Sequence, residues 1–211
     1  MKQNHSESDK IIDGIALPEP PADEKSRLTA LTEMVAAEHA DALLLTSEVS
    51  LTYATSATAL EGMCVIFADG RALFSTDGRY IEVAEKLLTP QGFTVICRKT
   101  AVPVADWLSQ TLAEAGVHRL MYEDSVLTVA EFARLRKNLP DGIEYLPASG
   151  KLGVLRACKT PREIAEMIKA QRIAEQALRV FLPQLYTGIT EREAAARLNF
   201  LMAVFGSEKP S

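Results

Sequence analysis

The sequence predicts an α/β fold, a mixed sheet with flanking helices, followed by a purely helical segment. Three observations carry that prediction. Short apolar runs alternate with segments of helical period between residues 26 and 146, the pattern of strands joined by crossover helices. Two apolar runs flank Asp69-Gly70, a pair suited to the positive φ angles of a tight hairpin turn, so part of the sheet is antiparallel. Beyond residue 149 no strand pattern recurs, and two Thr-x-x-Glu capping boxes each open an amphipathic helix.

The elements follow in chain order. Residues 1–25 are polar and acidic and carry Pro18, Pro20 and Pro21, which predicts a flexible arm. Leu28, Leu31, Met34 and Val35 recur at helical spacing, and the apolar run Ala42 to Leu45 predicts a buried strand after that helix. The hairpin is expected over Met63 to Ala68 and Arg71 to Thr76. A helix from about Arg79 to Leu88, a strand Phe93 to Cys97, a helix from about Val104 to Ala115 and a strand Arg119 to Tyr122 come next. A helix from about Val129 to Asn138 and a strand Ile143 to Leu146 complete the alternation.

Small residues with Gly150 and Gly153 then suggest a boundary near Ser149, so the expected domains are 1–25, 26–149 and 150–211. Thr160-Pro161-Arg162-Glu163 opens a long helix whose apolar face is expected to be Ile164, Met167, Ile168, Ala174, Leu178, Phe181, Leu182 and Leu185. Pro183 bends or ends its last turn, and Gly188 lies beyond it. Thr190-Glu191-Arg192-Glu193 opens a second helix with Ala194, Leu198, Leu201, Met202 and Phe205 on one face and Gly206 as its stop.

Composition bounds the function. Of 211 residues 47% are hydrophobic and 24% charged, the profile of a globular chain with a sizeable core. A formal net charge of -5 supplies no basic excess for a phosphate backbone, which argues against a nucleic-acid partner. No apolar run approaches the ~20 residues that span a bilayer, and the first ten residues lack the apolar stretch of a signal peptide. No membrane partner and a cytoplasmic location are therefore expected. Cys64, Cys97 and Cys158 are far apart in sequence and are read as small buried hydrophobes.

Four stretches, taken in order, resemble the creatinase and Xaa-Pro aminopeptidase (aminopeptidase P, prolidase) family. They are "DALLLTSEVSLTYATS", "ALFSTDGRYIEVAEK", "LGVLRACKTPREIAEMIKAQRIAEQAL" and "GITEREAAARLNFLMAVFGSEKPS". The first matches a strand followed by an NxxYLTG-like turn, with Ser50 in place of Asn, Ser56 in place of Gly, and Tyr53 kept. The second matches a strand followed by DxRY, the third the LRxxKTPxEI opening of the catalytic domain, and the fourth a GxTE helix ending in Gly. The resemblance implies a creatinase/prolidase N-terminal domain followed by two helices of an incomplete pita-bread domain. That catalytic domain, in relatives, holds two divalent metals, commonly manganese, through two Asp, one His and two Glu, and hydrolyses the bond before a proline. All five ligands are expected beyond the point where this chain stops.

On that basis no catalytic, cofactor or metal residue is expected in these 211 residues, and the chain alone is expected to be inactive. His39 closes the first helix, His118 precedes a strand, and His5 lies in the arm; none has the acidic context of a metal ligand. Asp77 is read as a helix N-cap and Arg79 as an early helix residue. The resemblance adds a second role, in which Tyr53, Asp77, Arg79 and Tyr80 form an interface or wall the active site of a neighbouring subunit. Trp107 is read as partly buried and the charged face from Arg162 to Arg172 as solvated. Expected partners are further copies of the chain, a C-terminal catalytic domain and, for the full-length protein, a proline-containing peptide. The alternatives are a stand-alone interaction module and the N-terminal part of a creatinase-like C-N hydrolase.

Overall fold

The computed structural model describes residues 26–58, 60–98 and 103–207, so the predicted arm and His5 lie outside the described residues. The chain divides into two compact units after Cys158. In the first, the described elements are α1 (Arg27–Ala37), β1 (Ala42–Leu45), α2 (Glu48–Thr55), β2 (Met63–Phe67), β3 (Ala72–Thr76), α3 (Ile81–Leu88), β4 (Phe93–Cys97), α4 (Val104–Glu114), β5 (Arg119–Tyr122), α5 (Val129–Asn138), β6 (Glu144–Pro147) and α6 (Ser149–Ala157). The second unit carries α7 (Pro161–Phe181) and α8 (Glu191–Val204).

The six strands form one mixed sheet in the order β4-β3-β2-β1-β5-β6. Only β2 runs against the rest, pairing antiparallel with β1 and β3, while β1 with β5, β3 with β4 and β5 with β6 are parallel. Strand period places alternate residues on opposite faces. Leu43, Leu45, Cys64, Ile66, Phe74 and Met121 meet α1, α2, α3 and α6 on one face. Ala42, Leu44, Val65, Phe67 and Leu120 meet Leu108 and Leu112 of α4 on the other. Trp107 is partly buried there, as expected. Helix α5 is held to the same face by Phe132, stacked on Tyr122 with ring centroids 4.5 Å apart and edge-on to Tyr145 at 5.3 Å.

Two carboxylates fix the parallel pair β1 and β5 from opposite ends. Asp41, just before β1, accepts the backbone N–H groups of His118 and Arg119 at the start of β5, both at 2.8 Å. Glu123, just after β5, accepts the N–H groups of Thr46 (2.6 Å) and Ser47 (2.9 Å) and the Ser47 hydroxyl (2.6 Å) at the end of β1. Glu123 is 2% exposed. Burial pushes its pKa up, but the hydrogen bonds from Ser47, Ser50 and Thr46 together outweigh burial and hold it below the ordinary carboxylate value. Asp41 is thus a structural acceptor, and neither it nor His39, which sits at φ 52, belongs to a metal group.

The structure corrects several sequence expectations. Residues 48–55 form a helix where a turn was expected, because Ser47 caps it by accepting the Ser50 N–H. The first unit runs to Cys158 rather than to Ser149: α6 is held by Leu152, buried in the core, by the Ser149 N–H donated to Asp124, and by Lys151 on Glu38. Helix α3 starts at Ile81, two residues later than expected, and β6 is shifted by one residue. Cys64 is buried, but Cys97 and Cys158 are exposed. Cys97 lies on β4, which pairs on one side only.

Both capping boxes of the second unit form, with Thr160 and Glu163 opening α7 and Thr190 and Glu193 opening α8. Pro183 lies in a 3-10 turn, Leu182–Gln184, that ends α7, and Gly206 takes φ 103 after α8. The buried face of α7 is Ala165, Ile173, Ala177 and Phe181 rather than the expected set. Of the expected face, Ile164, Met167, Ile168, Leu178, Leu182 and Leu185 are 40% to 58% exposed.

Replacing Glu123 with Ala leaves buried donors without an acceptor and should cost roughly 1–3 kcal/mol by urea denaturation at neutral pH. Because the folded pKa lies below the unfolded one, the stabilisation is complete above the unfolded value and fades as pH falls through the folded value. Wild type should therefore lose stability to Glu123→Ala in acid, the gap between them narrowing as pH falls. Ser56 sits in the left-handed region at φ 53, where glycine is unstrained. Ser56→Gly should raise stability by about 0.5–1 kcal/mol, and a loss would show that Ser56 has a partner that matters more than its backbone strain.

Candidate functional site

The parallel strands all end on one edge of the sheet, the edge where open α/β sheets present their loops to ligands. Three of the four sequence-predicted residues, Asp77, Arg79 and Tyr80, come together there in the loop after β3. They are joined by Glu61, just before β2. Register places these segments side by side, since Met63 pairs with Ser75. The Thr76 hydroxyl donates to the Glu61 carbonyl at 2.6 Å. Next in the chain, Gly62 packs so closely that a Cβ there would lie 2.5 Å from the Ser75 carbonyl oxygen and 2.8 Å from the Phe74 ring. The backbone that carries Glu61 is therefore fixed before any side chain is considered.

Asp77 does not cap α3. Its Oδ1 accepts the Arg79 N–H at 2.9 Å in a local Asx turn, and the N-cap position falls at Tyr80, which makes no side-chain cap. Arg79 accordingly precedes the helix. Its Nε donates to Asp77 at 3.1 Å and its Nη2 to Asp77 at 2.8 Å and to Glu61 at 3.0 Å, while its guanidinium lies 5.0 Å from the Tyr80 ring centre. The Arg79 side chain is 66% exposed, so this network contributes little to stability.

Electrostatics follow the geometry. The side-chain and backbone hydrogen bonds of Arg79 hold the Asp77 carboxyl below its usual range, and those contacts raise the Arg79 guanidinium further above its own. Partial desolvation and then a side-chain hydrogen bond to Glu61 raise the Tyr80 phenol. The group offers oriented hydrogen-bond donors and an aromatic face. It holds no nucleophile paired with a base.

Tyr53 lies elsewhere in function, if not in the core. It is a buried residue of α2, with Arg27 donating to its hydroxyl at 3.1 Å and stacking 4.6 Å over its ring. Among the described residues no three His, Cys, Asp or Glu gather as a metal-binding group. The donor set for two divalent metals is therefore not supplied by the described residues, and no metal-dependent step is drawn from them. Sequence reading missed Glu61, because its partnership with Arg79 spans 18 positions and needs the β2–β3 register to be seen.

A family model described as the Creatinase/Prolidase N-terminal domain matches residues 27–158. The chain belongs to that family. The creatinase/prolidase match ends at the residue where the first compact unit ends. A Bacillus subtilis protein, the uncharacterized peptidase YqhT, is 30% identical over 171 residues, covering 81% of this chain and 47% of that protein. The structure of an Xaa-Pro dipeptidase from Bacillus anthracis aligns with a TM-score of 0.77 at 29% identity, over 87% of this chain and 50% of its own. The N-terminal domain of cytoplasmic peptidase PepQ from Mycobacterium tuberculosis aligns with a TM-score of 0.54 at 29% identity, over 63% of this chain and 99% of its own. The chain thus spans about half the length of the first two relatives and nearly all of the isolated domain. No helix among the described residues is long and apolar enough to cross a membrane.

Gly62→Ala should displace the β2–β3 pairing at the edge that carries Glu61 and Asp77, costing about 1–3 kcal/mol in urea denaturation. An unchanged midpoint would show that the edge is loose enough to absorb a methyl group.

Proposed function

We propose that this chain is the N-terminal portion of an Xaa-Pro peptidase-type metallohydrolase. It comprises the non-catalytic creatinase/prolidase domain (residues 26–158), with residues 1–25 as an arm, and residues 159–211 as the first two helices of the catalytic domain. In the full-length protein the substrate is a peptide with proline second, the residue before proline is released, and two divalent metals, manganese by the resemblance, are held by residues outside this chain. The protein works as a homo-oligomer in the cytoplasm, and the loop carrying Asp77, Arg79 and Tyr80 faces the active site of a neighbouring copy.

The observation that carries this reading is the extent of the likeness to the Bacillus anthracis dipeptidase. It covers 87% of this chain but only 50% of the other, so it takes in α7 and α8 as well as the N-terminal domain. The exposed face of α7 supports it. Ile164, Met167, Ile168, Leu178, Leu182 and Leu185 lie in one helix with about half their surface uncovered, although each is worth ~1.5–3 kcal/mol when fully buried. A covering catalytic half accounts for that face; a stand-alone module does not.

The reading frame past codon 211 tests it directly: two Asp, one His and two Glu in a following catalytic half support it, and a stop codon opposes it. The 211-residue chain should not cleave an Xaa-Pro peptide with added manganese, whereas a chain continued through the catalytic half should. In the isolated 211 residues, amides from about 160 onward should exchange fast or the chain should associate with rising concentration. A monomer with slow exchange throughout α7 and α8 would contradict the proposal.

A further inference from the structure

An arginine on a surface loop samples many rotamers, and a wall residue is useful only if its guanidinium is aimed before the ligand arrives. The motif residue Asp77 takes the Nε and Nη2 edge of Arg79, and the remaining Nη2 contact goes to Glu61 at 3.0 Å. Glu61 is placed by groups that have no other task at this edge. Thr76 holds its carbonyl and Gly62 seats its backbone against Ser75. We infer that Glu61, outside the Asp77–Tyr80 motif, is the positioning residue that fixes Arg79 with its Nη1 edge outward, where it donates to a neutral peptide carbonyl. The inference rests on the proposal that this loop faces an active site.

The choice of a carbonyl follows from charge. Glu61 and Asp77 outweigh the single charge of Arg79, and Arg98, whose charge also acts on Asp77, brings the group only to neutrality. Such a cluster has directed donors but no net positive field to draw a carboxylate. Asp77 alone fixes one edge of the guanidinium and leaves rotation about the arginine stem to be resisted from the side, which is where Glu61 stands. The Tyr80 hydroxyl, also directed at Glu61, ties the aromatic face to the same anchor.

Two measurements separate this inference from the reading it rests on. In the 211-residue chain with ¹⁵N-labelled arginine, Glu61→Ala should speed solvent exchange of the Arg79 Nε–H by about tenfold while leaving the unfolding midpoint unchanged, since the pair is exposed. Glu61→Gln, which keeps an acceptor oxygen, should restore most of the protection. An Arg79 signal unchanged in Glu61→Ala overturns the inference whatever the enzyme does. In the full-length protein, Arg79→Ala and Glu61→Ala should each raise KM about three- to fivefold with kcat within twofold, and the double variant should add nothing further. An unchanged KM in Arg79→Ala overturns the active-site reading, while the exchange data still decide what Glu61 does. The KM effect should be equal for peptides ending at proline and for longer ones; an effect confined to the free carboxylate overturns the carbonyl assignment.

Discussion

The first unit depends on the reciprocal pinning of β1 and β5. These strands are neighbours in the sheet but are separated by more than 70 residues of chain, which include the whole β2–β3–β4 half. A parallel pair has no tight turn to set its register. Here Asp41 takes the amides that open β5 and Glu123 takes the amides that follow β1, so a one-residue slip would break both sets at once. Everything else is hung from this pair. The β2–β3 hairpin extends the sheet from β1, β6 extends it from β5, and α2 starts from the Ser47 turn that Glu123 holds. The carboxylate that fixes the register therefore also fixes the edge at which the Asp77 loop emerges.

That dependence explains what was legible in the sequence and what was not. The strands were, because a period of two on a buried sheet leaves an unbroken apolar run such as Ala42 to Leu45, and Asp69-Gly70 marks its own turn. The second unit's helix starts were, because both halves of a capping box lie within four residues. Helix α2 was not: its N-cap, Ser47, reads as a turn residue until Glu123 is seen to hold it from 76 positions away. Helix α6 was hidden for the same reason, since two glycines suggest a linker and only Asp124, Glu38 and the core pocket for Leu152 show that it is docked. The candidate site was half legible: Asp77, Arg79 and Tyr80 are contiguous, whereas Glu61 depends on strand register.

Helix α7 shows how an amphipathic pattern can be read correctly and assigned to the wrong neighbour. Its sequence carries two apolar stripes. The one with Ala165, Ile173, Ala177 and Phe181 is buried in the second unit, where small residues allow close approach to α8. The other, richer in Ile, Leu and Met, gives the stronger sequence signal and stays exposed. A helix apolar on more than one side belongs to the interior of a larger body, and α7 has the pattern of a helix meant to be covered from two directions.

The edge network around Arg79 has a different character from the rest of the structure. The contacts that hold the fold are buried and use neutral donors on carboxylates, as at Glu123. The contacts among Glu61, Asp77 and Arg79 are exposed, so their effect on stability is small, yet they sit on a backbone fixed by the buried Thr76 hydroxyl and the close approach of Gly62. Constraint has been placed on the aim of a guanidinium where it contributes almost nothing to folding. That division is what a recognition surface requires: a rigid β2–β3 edge beneath, and above it a small number of charged groups whose directions are set in advance of contact.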